Sequence, residues 1–106
     1  MTLEYMRFTH VSQPMEYRLR LRPTGSESEV VISGGLLGAI EISSVLPEPR
    51  EQRARADGAL ALIFQNPTGA TELGVTIHAA ATSPGKHTGR LEYAGDAIDL
   101  WQFAYP

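Results

Sequence analysis

The sequence contains no cysteine, and this absence excludes several kinds of chemistry at once. Without thiols the chain cannot form disulfides, use a thiolate nucleophile or hold zinc or an iron–sulfur cluster through cysteine. It also has no apolar run long enough to cross a bilayer, and residues 1–8 lack the basic and then apolar pattern of a secretory signal. We therefore expect a cytoplasmic protein, stabilised by packing, with no membrane partner.

Excess positive charge and familiar catalytic motifs are missing too. Nine cationic against twelve acidic side chains give a net charge of −3, which provides no general attraction to nucleic acid, and we predict no nucleic-acid partner. The sequence has no Gly-x-Ser-x-Gly elbow, no phosphate-binding glycine loop and no dinucleotide fingerprint. His10, His78 and His87 show no metal-ligand spacing. We predict no cofactor and no metal site.

What the sequence does contain is a series of short, alternating segments separated by turns. Ten glycines and seven prolines punctuate 106 residues, and the clearest alternation, over residues 15–22, sets apolar against charged side chains. This pattern predicts a single all-β domain over residues 1–106, an antiparallel sandwich or small barrel of seven or eight strands with at most one short helix.

The same alternation and turn residues predict the conformation of individual segments. Residues 3–11 are expected to form one strand, residues 36–46 a strand bent near Gly38, and residues 47–58 the longest loop, with room for a short helix. Residues 15–22 and 27–32 are expected to form a hairpin, because one register joins their apolar faces and also sets arginines opposite Glu27 and Glu29.

The last stretch, residues 89–106, predicts a β-hairpin with a Gly-Asp turn and a second strand that is apolar on both faces. Pairing Ala94 with Ala97 would set Tyr93 opposite Ile98 on an inner face. The outer face then carries the candidate binding residues, which are Arg90, Glu92, Asp99, Trp101, Phe103 and Tyr105.

Two features of this outer face have alternative interpretations. The stripe of Trp101, Phe103 and Tyr105 is either core covered by a second sheet, a protein interface, or a stacking surface for a glycan or small ligand. Glu92 and Asp99 are predicted to lie opposite each other. Such a pair is compensated by Arg90, binds a cation, or acts as the acid and base of a glycosidase.

The order of several short segments along the chain is also informative. These segments are residues 8–10, 17–19, 45–49, 60–64 and 90–93. This succession resembles a small uncharacterised bacterial all-β family, some of whose members are associated with phage-tail-like genes. The resemblance implies a structural or binding role and supplies no catalytic residues.

Together these observations favour a non-catalytic binding or structural module, a subunit or accessory of a larger protein assembly. Its partner would be another protein or a second copy of the chain, bound at the outer face of the terminal hairpin. The alternative is a carbohydrate-binding or small-ligand-binding module that uses Trp101. The third hypothesis is a small barrel enzyme with Glu92, Asp99 or His78 in acid–base roles.

Overall fold

Ten β-strands and one single-turn helix make up the computed structural model, which describes all 106 residues. The elements in chain order are β1 (Thr2–Glu4), β2 (Phe8–His10), β3 (Pro14–Leu21), β4 (Glu27–Ser33), α1 (Gly35–Gly38), β5 (Ile40–Leu46), β6 (Glu51–Ala54), β7 (Leu60–Gln65), β8 (Leu73–Ala81), β9 (Gly85–Tyr93) and β10 (Asp96–Tyr105). The predicted all-β class is confirmed. None of these elements is a helix with the length and apolar character that crossing a bilayer requires.

The strands form two sheets that pack face to face as a sandwich. The four-stranded sheet has the order β1-β3-β8-β5, and the six-stranded sheet has the order β2-β10-β9-β4-β7-β6. Neighbouring strands are antiparallel, with the exception of β2, which runs parallel to β10. Between the sheets, inward-facing side chains from seven of the strands and from α1 form a core of nineteen buried residues, in which Leu19, Leu62 and Phe64 are almost fully enclosed.

The predicted hairpin between residues 15–22 and 27–32 is wrong, although both strands exist. β3 pairs with β1 and β8 in one sheet, whereas β4 pairs with β7 and β9 in the other. Leu19 and Val30 are both buried, so the apolar pattern is satisfied across the sandwich instead of along one sheet. Glu27 and Glu29 bind Arg50 and Arg55 instead of the arginines of β3.

The predicted N-terminal strand is divided between the two sheets. β1 pairs with β3, then residues 5–7 cross the side of the sandwich, and β2 pairs with β10. Beyond β2 the backbone N–H of Val11 donates to the carbonyl of Tyr105, and that of Ser12 donates to the carbonyl of Ala81. These bonds join the two sheets at one side, and alternation alone cannot reveal such a change of sheet.

Two other segments differ from their predicted conformation. Residues 35–38 form the helical turn α1, and a bulge between Ile42 and Ser44 in β5 moves Val45 to the buried face and leaves Leu46 exposed. The predicted long loop contains β6 instead of a helix. This short strand pairs with β7 and forms an edge of the sheet. Its charged side chains discourage the pairing with other chains that an exposed edge otherwise invites.

Two glycines allow α1 to lie directly on the six-stranded sheet. Gly34 has φ +93°, and a Cβ added there would lie 2.9 Å from the Cα of Gly89 and 2.9 Å from the carbonyl oxygen of Thr88. A Cβ at Gly89 would lie 3.0 Å from the Cβ of Leu36, whose side chain is buried in the core. The chain can therefore leave β4 and cross β9 only because both positions lack a side chain.

Replacing Gly34 by alanine should lower the free energy of unfolding by about 2–4 kcal/mol, since a strained φ and a backbone clash act together. Gly38→Ala is the matched control, because Gly38 lies in the same turn with open space around its Cα and no positive φ. Its unfolding midpoint in urea should be unchanged or slightly higher. Equal midpoints for the two variants would contradict the proposed close approach.

Candidate functional site

The terminal hairpin is present, but each residue of β9 pairs with a residue of β10 that lies two positions earlier than predicted. Ala94 and Gly95 are the two turn residues, with φ 49° and 85°, so that Tyr93 pairs with Asp96 and Leu91 with Ile98. Positive φ at both positions is the requirement of a type I′ turn, and glycine occupies the second position instead of the first. Because the shift preserves alternation, the predicted inner and outer faces are retained.

This register rearranges the charged end of the outer face. Arg90 lies directly opposite Asp99, and its Nε and Nη2 donate to Oδ1 at 2.7 Å and to Oδ2 at 3.2 Å. This hydrogen bonding, with the nearby charge, raises the pKa of the Arg90 guanidinium. Glu92 lies opposite Ala97, so the predicted juxtaposition of Glu92 and Asp99 is wrong. Of the three interpretations, compensation of Asp99 by Arg90 is the one that the geometry matches.

The aromatic stripe lies outside the core. On β10, Leu100, Gln102 and Ala104 point between the sheets and are buried. The alternate residues point away from them, where Trp101 and Phe103 are half-buried and Tyr105 is 44% exposed. No second sheet covers this face. The interpretation of the stripe as sandwich core is therefore wrong.

Strand β2 extends the stripe into a wider surface. Its parallel register sets Phe8 beside Phe103 and His10 beside Tyr105, and Phe8 is 54% exposed. The ring centroids of Phe8 and Trp101 are 5.6 Å apart with the planes nearly perpendicular, and those of Phe103 and Tyr105 are 4.9 Å apart. We call the resulting surface the aromatic patch, which comprises Phe8, His10, Trp101, Phe103 and Tyr105.

A buried amide beneath the patch holds β2 in place. Gln102 is 2% exposed, its Nε2 donates to the carbonyl of Met6 at 2.6 Å, and its Oε1 accepts a hydrogen bond from the hydroxyl of Tyr17. Desolvation raises the pKa of Tyr17 above its ordinary value, so this hydroxyl stays protonated and remains a donor. Next to Met6, the carbonyl of Arg7 accepts from the N–H of Phe103 at 2.7 Å. The crossing segment is thus fixed to β10 at consecutive residues.

Two cationic side chains flank Trp101. The guanidinium carbon of Arg7 lies 5.2 Å from the centroid of the indole ring, and Nζ of Lys86 lies 5.3 Å from it. Both distances allow attraction between the cation and the electron-rich ring. The patch therefore combines exposed aromatic surface with positive charge.

Besides a cleft of about 450 Å³ that is lined by Arg90, Glu92 and the hairpin turn, two clefts lie beside these elements. One, of about 330 Å³, adjoins the patch and is lined by Trp101, Lys86, Thr88, Arg90, Asp99 and the turn at Gly34. The other, of about 490 Å³, lies beside the four-stranded sheet and contains His78, whose Nδ1 is 3.7 Å from Oε1 of Glu16. Glu16 is also bound to Arg18 at 2.8 Å.

The residues of the acid–base hypothesis are not brought together. His78 lies on the four-stranded sheet, whereas Glu92 and Asp99 lie on the outer face of the six-stranded sheet. No group of three histidine, aspartate or glutamate side chains converges in the way that a metal ion requires. Of the predicted site residues, the structure thus brings together Trp101, Phe103 and Tyr105, and it joins Arg90 to Asp99. Glu92 lies outside the cleft beside Trp101.

Sequence reasoning missed Arg7, Phe8, His10 and Lys86. Lys86 shares the outer face of β9 with Thr88 and Arg90, so extending the alternation of the hairpin by two more pairs would have predicted its position. Arg7 and the two aromatic residues reach the site only through the parallel pairing of β2 with β10, for which no local signal exists. Comparisons with known proteins supply no further guide, because no protein-family model matches the chain and no curated protein is similar to it.

Replacing Gln102 by leucine should lower the free energy of unfolding by about 2–3 kcal/mol, because the Tyr17 hydroxyl and the Met6 carbonyl would lose their partner. In the double variant with Tyr17→Phe, the cost should be smaller than the sum of the two single costs by about 1 kcal/mol. Urea denaturation of the three variants measures this coupling. The exposed Gln52→Leu serves as control, and a cost for Gln102→Leu as small as the control's would refute the role of the amide.

Proposed function

We propose that the protein is a non-catalytic binding module that acts as a subunit or accessory of a larger protein assembly, with the aromatic patch as its docking surface. The observation that carries this proposal is the exposure of a contiguous set of aromatic rings on one sheet face. Phe8 and Tyr105 are among the few large apolar side chains that are more than two-fifths exposed. Exposed aromatic clusters of this kind are typical of interface hot spots.

Magnitudes support a role in assembly. An aromatic side chain buries about 150–250 Å² when fully enclosed, so covering two half-exposed rings would remove about 200 Å² from water. At about 25 cal/mol/Å² this is worth about 5 kcal/mol before the costs of ordering. A protein surface is the occupant that covers several rings at once. The family resemblance suggests that this assembly is phage-tail-like. The cytoplasmic location of the protein stays a prediction.

Site-specific photo-crosslinking tests this function directly. A benzoyl-phenylalanine at Phe103 should form a discrete crosslink to one protein species in cells that produce the protein, whereas the same group at Arg20, on the outer face of the other sheet, should not. Sedimentation at several concentrations of the pure chain then distinguishes a different protein from a second copy. Identical crosslinks from both positions, or none from Phe103, would refute docking through the patch.

A second candidate, a carbohydrate-binding or small-ligand-binding module, is favoured by the cleft beside Trp101. There an indole ring adjoins the Thr88 hydroxyl and the bonded Arg90 and Asp99 pair, and sugar recognition combines such stacking with polar groups.

The single tryptophan of the chain reports on this candidate without a label. If the candidate is correct, one member of a panel of neutral and acidic sugars will shift Trp101 fluorescence saturably, and Asp99→Asn will weaken that binding by about tenfold through loss of a charged acceptor. Glu92→Gln, outside the cleft, is the control and should bind as the parent does. A panel without any effect would eliminate the candidate.

A further inference from the structure

The cations of this protein are mostly bound to carboxylates, and the exceptions are informative. Of nine arginine and lysine side chains, the three without a carboxylate within 4.0 Å are Arg7, Arg22 and Lys86. Two of these three flank Trp101 in the aromatic patch. They derive from distant parts of the chain, and they meet only because β2 and β9 lie on either side of β10.

Neither of the two cations that flank Trp101 has a carboxylate of the chain within 4.0 Å. Asp99, the acidic side chain on the outer face of β10 nearest to Trp101 in sequence, is bound by both hydrogen bonds to Arg90. A chain with a net charge of −3 therefore presents a locally positive surface at its most exposed aromatic rings.

Resting on the function proposed above, we propose that the partner presents an acidic segment to this surface. Its carboxylates bind Arg7 and Lys86, while its apolar side chains cover Phe8, Phe103 and Tyr105. Complementary charge of this kind determines the choice of partner and the rate of encounter, whereas the rings supply most of the contact area.

The same charges argue against the other occupants. A twofold dimer through the patch would bring the Arg7 and Lys86 of one copy against their own equivalents, and like charges across an interface are unfavourable. Nucleic acid needs a cationic groove that follows successive phosphates. Here the two cations are gathered around one indole ring and form no such groove.

Capped synthetic peptides test this proposal with defined probes. Repeats of Glu-Glu-Phe, Gln-Gln-Phe and Lys-Lys-Phe contain no tryptophan, so Trp101 fluorescence and the amide NMR signals of β2, β9 and β10 report their binding up to millimolar concentrations. The acidic peptide should bind about tenfold more tightly than the basic one at low salt, and this preference should shrink as added salt screens the charges.

The double variant Arg7→Gln with Lys86→Gln should remove most of the preference for the acidic peptide, measured as the ratio of the dissociation constants of the basic and acidic peptides. Arg22→Gln is the matched control, since it removes the third unpaired cation. Arg22 follows β3, and its carbonyl accepts a hydrogen bond from Tyr93, next to the hairpin turn and away from Lys86. The control should retain the full preference.

The remaining outcomes separate this inference from the proposed function. Equal binding of the three peptides at the patch would overturn the acidic partner and leave the docking surface standing. Absence of any effect on Trp101 or on the patch amides would overturn both. Tighter binding of a thymidine oligonucleotide than of the acidic peptide, abolished in the double variant, would replace the protein partner with a single-stranded nucleic acid.

Discussion

The hydrogen bonds of Gln102 are the constraint on which the candidate site depends. This side chain belongs to the six-stranded sheet, its Oε1 accepts from Tyr17 of the four-stranded sheet, and its Nε2 donates to Met6 in the segment that crosses between them. A buried amide costs stability unless both of its ends are satisfied, and here both are. One residue thus links both sheets and fixes the path of the N-terminal chain.

That path determines what reaches the surface. Because Met6 is fixed over β10, Arg7 bonds to Phe103 and the chain continues as β2, parallel to its neighbour. Phe8 and His10 then share the outer face with the aromatic residues of β10, while Thr9 between them is buried. The patch is therefore a product of the crossing, and the terminal hairpin alone would present only part of it.

The sequence indicated which side chains of each strand face the core, but it did not indicate which strands pair with each other. Alternation correctly assigned Leu91, Tyr93 and Leu100 inward and Trp101 outward, since a period of two depends only on the strand itself. Alternation failed to predict the partners of β3 and β4, because two strands with apolar faces can bury those faces in two ways. They can pair as neighbours in one sheet, or they can lie in opposite sheets and pack against each other. Alternation missed β2 at the site because parallel pairing of the first and last segments is a long-range event. The turn explains why the register of the terminal hairpin differs from the prediction. Ala94 adopts a positive φ, which the prediction had allowed only for glycine.

The position of the polar network also bears on function. Apolar side chains fill a sandwich core without any need for hydrogen bonds, and a buried polar group that is replaced together with its partners by apolar groups often leaves stability unchanged. Core packing by itself therefore gives no reason for an amide there. What the amide does is hold the carbonyl of Met6, which places Arg7 against Trp101 and Phe8 on its edge. A buried hydrogen-bond network thus arranges an exposed surface, and the proposed docking site depends on that arrangement.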